Sequence, residues 1–327
     1  MRAAWYEMVG PAKDVLIIGE LPIPEPGPGE VRVRVHMSGV KPSDVKARAG
    51  ARGAIASPKV IPHSDGAGVI EAVGAGVDAV RIGERVWIWN AAWQRPFGTC
   101  AEFVCLPAIQ AVPLSDSASF EAGACLGIPA STAAWGVFAD GDVTGQTILV
   151  TGGAGAVGHY AVQLAKWGGA TVLATVSGPT KAAHAQSAGA DMVINYREED
   201  VATAVRQATG GKGVDRIVEV EFGGNLAVSN AILRPGGTIA TYGSMAAPIP
   251  ELPFYPMMFN GTTIRMVLVY LLAGKQRERV IDLVNSAIDD GALNHAIAAR
   301  HLLAEVASLH LLVEAGTLVG NAIVEID

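Results

Sequence analysis

Hydrophobic and polar residues follow two different repeats along this chain. In the first 110 residues, short runs that alternate apolar and polar side chains are separated by turns, and the clearest run is 31–37. Alternation with a period of two is typical of half-buried β-strands. Further strand candidates lie at 15–18, 69–74, 83–89 and 101–106. Many short strands at this spacing predict a small antiparallel barrel or sandwich.

From residue 146 onward, strands and helices are predicted to alternate. The strands are 147–151, 171–176, 191–196, 214–221 and 237–242, and the helices between them are 157–167, 180–188, 198–209 and 224–233. This alternation indicates βαβ units, and therefore an α/β fold with a doubly wound parallel sheet.

The segments that flank this region are predicted as well. Helices are expected at 117–125, with Ser117 as the N-cap, and at 130–139. A sixth strand is expected at 262–270, followed by helices near 276–290 and 303–315 and a last strand at 321–326. That last strand can return to the N-terminal β domain.

A glycine-rich loop connects the strand at 147–151 with the helix that follows it. Gly153, Gly155 and Gly158 have the GxGxxG spacing, which carries information only between a strand and a helix. We expect Gly153 to form the tight turn, Gly155 to admit a pyrophosphate to the backbone, and Gly158 to allow close packing of helix on strand. An ordinary glycine-rich turn is the alternative. The predicted cofactor contacts are Gly153, Ala154, Gly155, Ala156, Val157 and Gly158, where backbone amides and the helix dipole favour an anion.

The residues after the second strand of this region indicate which dinucleotide binds. NAD-binding sites usually place an acid there for the ribose 2′-hydroxyl. Here the strand ends without an acid; Ser177 offers a hydroxyl and Lys181 an ammonium, while Tyr196 ends the third strand. Because an ammonium attracts a 2′-phosphate, we predict NADPH, bound in part by Ser177, Lys181 and Tyr196. Lys181 alone would also be explained as a solvated lysine at the start of a helix.

Composition narrows the possible settings. A chain of 327 residues suggests two domains, and a net charge of -7 without any run of Lys or Arg argues against a nucleic-acid or anionic-membrane surface. No apolar stretch reaches the ~18 residues of a transmembrane helix. Three cysteines, Cys100, Cys105 and Cys125, without paired spacing indicate reduced thiols and a cytoplasmic location.

Several segments together resemble one protein family along nearly the full length of the chain. These segments are 38–44, 62–70, 126–133, the glycine loop and 193–197. They resemble the zinc-free medium-chain dehydrogenase/reductases, in particular NADPH:quinone oxidoreductases related to zeta-crystallin. The resemblance implies a GroES-like antiparallel β-barrel domain (1–129 and 272–327) and a Rossmann domain (130–271), with the active cleft between them and a homodimer formed through the sheet edge at 262–270.

The same resemblance implies that no metal is present. Zinc-dependent relatives carry zinc ligands where this chain has Lys41, Ser64 and Ile128, and only Asp65 is still able to bind a cation well. A catalytic zinc requires three protein ligands. Without a Lewis acid, alcohol oxidation is disfavoured, whereas a quinone or an activated alkene accepts hydride more readily.

Lys41 and Asp44 are the candidate catalytic residues. The family often has asparagine at the position of Lys41, which puts its role in doubt. The lysine either stabilises the anion that develops on the acceptor or forms a structural ion pair with Asp44 or Asp65. His36, His63 and His310 lack an evident acid–base partner and are expected to be structural.

The resemblance and the edge of the sheet add further cofactor contacts. Thr132 is expected near the nicotinamide, and Gly243 and Ser244 follow the fifth strand, at the carboxyl edge of the sheet. Val269 and Tyr270 are expected to meet the carboxamide through backbone groups, and Asn321 to approach the phosphates.

The sequence thus predicts metal-free, NADPH-dependent reduction of a quinone. A second hypothesis is an NADPH-dependent enone or 2-alkenal double-bond reductase. A third is a non-catalytic NADPH-binding protein, such as a sensor or a crystallin-like protein, for which the altered residue at position 41 is the sequence argument.

Overall fold

The chain forms two compact units in a computed structural model that describes residues 1–326. The first unit contains residues 1–128 and the C-terminal segment from 295, and the second contains residues 129–294. The first boundary differs by one residue from the predicted one. Residues 272–294, which we had assigned to the β domain, lie in the second unit because the helix Lys275–Asp289 packs on the helix Ser131–Phe138.

The described residues contain fifteen strands and eleven α-helices. The strands are β1 (Arg2–Trp5), β2 (Ile17–Glu20), β3 (Glu30–Val40), β4 (Asp65–Val73), β5 (Arg85–Ile88), β6 (Phe103–Pro107), β7 (Ala111–Pro113), β8 (Thr147–Val150), β9 (Thr171–Val176), β10 (Met192–Asn195), β11 (Val214–Glu219), β12 (Leu233–Thr241), β13 (Thr263–Met266), β14 (Ile297–Leu302) and β15 (Asn321–Glu325). The helices are α1 (Ala12–Val15), α2 (Pro42–Arg48), α3 (Phe120–Gly123), α4 (Ser131–Phe138), α5 (Ala156–Trp167), α6 (Pro179–Ser187), α7 (Val201–Ala208), α8 (Phe222–Ile232), α9 (Phe254–Phe259), α10 (Lys275–Asp289) and α11 (Val306–Glu314).

The first unit is built on a sheet in which β3 is the central strand. The strand order is β14-β15-β3-β4-β5-β7, and β6 also pairs with β3. All pairings are antiparallel except that of β14 with β15, which α11 connects as a parallel βαβ unit. The predicted return of the last strand to the N-terminal domain is confirmed, because β15 pairs with β3.

The second unit contains a six-stranded parallel sheet in the order β10-β9-β8-β11-β12-β13. The predicted doubly wound sheet is therefore confirmed. The order reverses between β8 and β11, and in open α/β sheets ligands bind at the carboxyl ends of the strands beside this switch point. Apolar side chains on β8, β9, β11 and β12 form the core with α7 and α8.

Three local predictions were wrong. The helix near 117–125 is the short α3, and its N-cap is Ser119, whose hydroxyl accepts the amide of Ala122, rather than Ser117. Residues 12–15 form a helical turn before β2, so the strand begins later than predicted. The sixth strand ends at Met266, because the chain turns into a 3₁₀ helix at Val269–Leu271.

Within residues 1–326, no helix has the length and apolar character needed to cross a bilayer.

Candidate functional site

The glycine loop lies at the carboxyl end of β8, and each glycine has a distinct reason to be there. Gly152, not Gly153 as predicted, adopts the left-handed conformation (φ 64°). A Cβ on Gly153 would lie 2.8 Å from the Cβ of Ala174 on β9, and a Cβ on Gly158 would lie 2.2 Å from the carbonyl oxygen of Gly152. These two glycines therefore allow the strand and the helix to approach closely.

Gly155 faces solvent and is the N-cap of the twelve-residue helix α5. A Cβ there would meet only the carbonyl oxygen of Gly152, at 3.4 Å. The first amides of a helix have no intrahelical acceptor. Ala156 and Val157 are half-buried beside Gly155, and Ala154 is buried. The exposed backbone at this helix start fits a pyrophosphate group.

Ser177 and Lys181 lie beyond the end of β9, and both side chains are half-buried. Within residues 1–326, no hydrogen bond or ion pair engages the ammonium of Lys181. Tyr196 is 52% exposed and lines a cavity of about 250 Å³ together with Gly152, Thr175 and Asn225. The cavity lies at the carboxyl ends of β8, β9 and β11, beside the switch point.

A buried carboxylate at this edge, Glu219, was missed by the sequence analysis. Its Oε1 accepts hydrogen bonds from the Thr151 hydroxyl (2.7 Å), the Glu221 amide (2.7 Å) and the Asn225 side chain (2.9 Å). Its Oε2 accepts from the Ser229 hydroxyl (3.2 Å). The carboxylate thereby ties the end of β8 to the end of β11. An acid directly after the apolar pair Ile217 and Val218, at the carboxyl end of a predicted strand, was the signal for it.

The segment after β12 is held against the turn between β11 and α8. The Ser244 hydroxyl accepts from the Gly223 amide (2.9 Å) and donates to the Ala247 carbonyl (2.6 Å). The Gly243 carbonyl accepts from the Phe222 amide (2.8 Å). Gly243 and Ser244 are therefore at the predicted edge, but the hydroxyl of Ser244 is engaged within the protein.

Val269 and Tyr270 follow β13 in the 3₁₀ turn. Val269 is buried, and its carbonyl accepts a hydrogen bond from the buried guanidinium of Arg277 on α10. The carbonyl of Val269, one of the backbone groups expected to meet a carboxamide, thus also binds Arg277, and the carboxamide contact stays a prediction. Arg277 was not identified from the sequence, because nothing in its spacing relates it to Val269.

In the first unit, Lys41 is 2% exposed and Asp65 is fully buried. The Lys41 ammonium lies 3.7 Å from Asp65 Oδ2 and donates to Asn321 Oδ1 (3.3 Å). Asp65 Oδ2 also accepts from the Ile128 amide (2.9 Å). Of the two partners that the sequence left open for Lys41, Asp65 is therefore the one it pairs with.

Asp44 is the N3 residue of α2, and its carboxylate accepts the backbone amide of Lys41 (2.8 Å). Burial and the nearby charge of Asp65 raise the pKa of Asp44 to about 7. The hydrogen bond from the Lys41 backbone amide and the positive charge of Lys41 both lower the pKa of Asp44, but by less than burial and Asp65 raise it. Asp44 therefore holds a proton at pH values where an exposed aspartate is ionised.

Asn321 and Thr132 complete the predicted set. Asn321 is 3% exposed; besides accepting from Lys41, its amide donates to the carbonyl of Ala296 (3.4 Å). These contacts engage Asn321 within the first unit, and its phosphate contact stays a prediction. Thr132 is buried in the first turn of α4, in the second unit. The structure thus brings Lys41, Asp44 and Asn321 together, while the other predicted residues lie in the second unit.

His63 and His310 form a buried pair linked to Asp65. Burial lowers the pKa of His310 to about 3 and that of His63 well below its usual value, so both rings are neutral near pH 7. The Thr99 hydroxyl donates to the carbonyl of Asp65 (2.6 Å), so Thr99 accepts from Ser38 (2.7 Å). Ser38 then accepts from Nδ1–H of His63 (2.9 Å), and His63 Nε2 accepts from Nε2–H of His310 (2.9 Å). This order of donors and acceptors places the ring proton of His63 on Nδ1 and that of His310 on Nε2.

Comparison with known proteins gives the same two-part architecture. Residues 27–116 match the alcohol dehydrogenase GroES-like domain, and residues 156–286 match the zinc-binding dehydrogenase domain. A quinone oxidoreductase from Pseudomonas aeruginosa is 30% identical over 91% of this chain and 92% of its own. A 2-haloacrylate reductase from a Burkholderia species is 30% identical over 95% of this chain and 94% of its own.

This chain belongs to the quinone oxidoreductase family of medium-chain dehydrogenases/reductases. A mycobacterial protein solved in complex with NADPH is 28% identical, with a TM-score of 0.87 over 99% of this chain and all of that one. The predicted family and the fold class, a GroES-like domain with a Rossmann-type domain, are confirmed. The chain is thus an oxidoreductase with a dinucleotide-binding domain.

The name of the matched domain raises the question of zinc in this oxidoreductase. Across residues 1–326, no three side chains of His, Cys, Asp or Glu come close enough to share a metal ion. Beside Asp65 the protein places the Lys41 ammonium, and Ile128 offers no side-chain donor. A catalytic zinc needs three protein ligands, so this cluster does not fit one.

Proposed function

We propose that this oxidoreductase transfers hydride from NADPH to a quinone in a two-electron reduction. The observation that carries the proposal is the buried ammonium of Lys41, which is held by Asp65 and Asn321. The family resemblance implies that zinc-dependent relatives have a zinc ligand at this position. A quinone becomes a delocalised hydroquinone anion when it accepts hydride. It therefore needs a positive charge and a proton rather than a Lewis acid.

Lys41 and Asp44 have complementary roles in this proposal. The fixed ammonium of Lys41 stabilises the negative charge that develops on the quinone oxygen, which is the usual way an enzyme lowers such a barrier. Asp44, with its pKa raised to about 7, holds the proton that neutralises the hydroquinone anion. One proton and one hydride then convert the quinone to the hydroquinone.

The second unit contains the groups that favour NADPH. Exposed amides at the start of α5 receive the pyrophosphate, and the cavity beside Tyr196 receives the adenosine end. Ser177 and Lys181 bind the 2′-phosphate, because no acid follows β9 and the ammonium is not engaged elsewhere within residues 1–326. The nicotinamide supplies the hydride.

An activated alkene is the second candidate acceptor. The Burkholderia relative is named a 2-haloacrylate reductase, and it is as similar to this chain, at 30% identity, as the Pseudomonas quinone oxidoreductase. Hydride addition to an enone or a 2-alkenal also produces a delocalised anion, which the same ammonium of Lys41 stabilises. The site therefore supports this reaction as a closely related alternative.

The test is steady-state turnover of the purified protein with NADPH and NADH against quinones, 2-alkenals and alcohols. We expect NADPH oxidation with simple benzo- or naphthoquinones and no effect of a chelator. Turnover of alkenals or alcohols without any turnover of quinones would overturn the proposal. Tight NADPH binding with no turnover of any acceptor would instead support a non-catalytic role.

We also propose a homodimer formed through the outer edge of β13. This strand ends the six-stranded sheet, so its second edge has no neighbour in the described part of the chain. An exposed strand edge is a template for pairing with another chain. Next to it, Leu268 and Leu271 are 46% and 64% exposed, which fits coverage by a second copy.

A further inference from the structure

A second cavity of the dinucleotide-binding unit lies beside Gly243 and Ser244, two of the predicted cofactor contacts, and extends beyond them. It measures about 490 Å³ and lies at the carboxyl ends of β12 and β13. Its apolar lining includes Phe222, Pro248, Pro250, Leu252 and Met266. Gly243 and Ser244 also line it, so it adjoins the edge at which the cofactor is expected.

Two apolar lining residues of the cavity are largely exposed, Met266 at 70% and Leu252 at 51%. The segment 244–252, which contributes four of the lining residues, also exposes Ile249 (94%) and Met245 (66%). Exposed apolar side chains around a cavity are typical of a binding site. A ligand that enters here would leave water for contact with proline, leucine and methionine side chains.

The wall of the cavity is held in place by Glu221, the N-cap residue of α8. Its carboxylate accepts the backbone amides of Met245 (2.8 Å, Oε2) and Ala246 (3.0 Å, Oε1). Together with the two hydrogen bonds of Ser244, these contacts fix the segment 244–247 on the turn between β11 and α8. The prolines that follow stiffen the segment further. The cavity is therefore preformed rather than a gap in a loose loop.

We propose that this cavity, lined by Phe222, Pro248, Pro250, Leu252 and Met266, binds an apolar chain of the acceptor. The acceptor would then carry an alkyl or prenyl-type substituent on its quinone ring. This inference rests on the proposed function, and it adds to it the class of acceptor. Apolar lining without a charged side chain selects a hydrocarbon chain over an anionic or sugar substituent.

The experiment compares two benzoquinones that differ only in the length of one chain, ethyl against hexyl. The added methylenes scarcely change the electronic character of the ring, so the ratio of their kcat/KM values reports burial of the chain. A fully buried methylene contributes about 0.8 kcal/mol, which is about fourfold. For four added methylenes in a partly open cavity, we expect a ratio of about 10 to 100. A ratio near 1 overturns the inference.

Two variants test the location. Met266→Thr removes apolar surface from the cavity and should lower the hexyl-to-ethyl ratio several-fold, whereas Met258→Thr, on α9, should keep the wild-type ratio. An unchanged ratio in Met266→Thr, or an equal loss in Met258→Thr, contradicts the assignment. So does a loss that appears only because Met266→Thr changes the oligomeric state, as measured by light scattering.

Binding separates this inference from the proposed function. The dissociation constants of the two quinones are measured by calorimetry with the NADP⁺-loaded protein, independently of turnover. If neither quinone is reduced but the hexyl compound still binds about tenfold more tightly, the proposed quinone reduction fails and the chain site is supported. Equal dissociation constants overturn the chain site whatever the turnover.

Discussion

Lys41 illustrates how burial determines the effect of a single residue. The ammonium and the carboxylate of Asp65 are both nearly inaccessible to water, so each makes the burial of the other tolerable. Removing one partner of such a pair leaves an uncompensated charge, whereas replacing both is often nearly neutral. This difference separates a structural role of Lys41 from a catalytic one.

We expect Lys41→Met to lose about 3–5 kcal/mol of unfolding free energy, because the carboxylate of Asp65 stays buried without its cation. The double variant Lys41→Met/Asp65→Asn should recover most of this loss in urea unfolding. It should not recover quinone turnover, with kcat lower by about 100-fold. Wild-type turnover in the double variant would show that Lys41 is only structural.

Asp44 makes stability depend on pH in a defined window. The pKa is about 7 in the folded protein and about 3.9 in the unfolded chain, so between these values the folded state binds the extra proton. Unfolding free energy attributable to Asp44 therefore falls as pH rises from about 4 to 7 and is constant above. In the wild type this fall in unfolding free energy should be on the order of 2–4 kcal/mol. It should be absent from Asp44→Asn when both proteins are unfolded with urea at several pH values.

The control for Asp44 is Asp116→Asn, since the side chain of Asp116 is 99% exposed. This variant should keep the wild-type pH dependence. An Asp44→Asn profile parallel to that of the wild type between pH 4 and 7 would contradict the raised pKa.

Lys181 determines the choice of dinucleotide if the 2′-phosphate lies beside it. Hydrogen bonds between charged groups contribute about 1.5–3 kcal/mol, and partial exposure of this lysine reduces that value. We expect Lys181→Ala to raise the KM for NADPH about 5- to 20-fold and to leave the KM for NADH unchanged. The exposed Lys212 of the same unit supplies the matched control, Lys212→Ala. Unchanged NADPH preference in Lys181→Ala would refute the assignment.

At the scale of elements, the turns at the carboxyl edge of the parallel sheet are fixed by side chains from neighbouring turns. Glu219 ties β8 to β11, and Glu221 ties α8 to the segment after β12. Most helices and strands of the second unit were predictable from periodicity, and β9 has the predicted bounds. The hydrogen bonds of Glu219 and Glu221 were not predictable, because each joins residues that sequence spacing does not relate.

Glu221→Ala should release the segment after β12. Loss of two hydrogen bonds to a carboxylate should accelerate hydrogen exchange of the Met245 and Ala246 amides by about 10- to 100-fold, measured by mass spectrometry. The matched control is Glu251→Ala, an exposed glutamate in the same loop. Equal acceleration in both variants, or none in Glu221→Ala, would contradict the role of Glu221.

At the scale of the whole molecule, the open edge of β13 predicts a dimer in light scattering. Leu271→Glu would place like charges near each other across a two-fold axis and bury them, so we expect a shift towards monomer. Ile82→Glu changes a similarly exposed residue of the first unit, at 51% exposure, and should remain dimeric. A monomeric wild-type protein would rule out the proposed dimer.

The sequence alone determined the features that depend on local spacing. Short alternating runs indicated several strands of the first unit, and strand–helix alternation indicated the parallel sheet. The glycine spacing located the dinucleotide loop between β8 and α5. These patterns are local because side-chain direction repeats along each element.

Only the tertiary structure decided which distant residues meet. It selected Asp65 as the partner of Lys41, brought Asn321 to the same ammonium from 280 residues away, and made Gly152 rather than Gly153 the left-handed residue. It also joined 272–294 to the dinucleotide-binding unit. Burial and the raised pKa of Asp44 arise from packing between segments that are remote in sequence, and no local pattern carries that information.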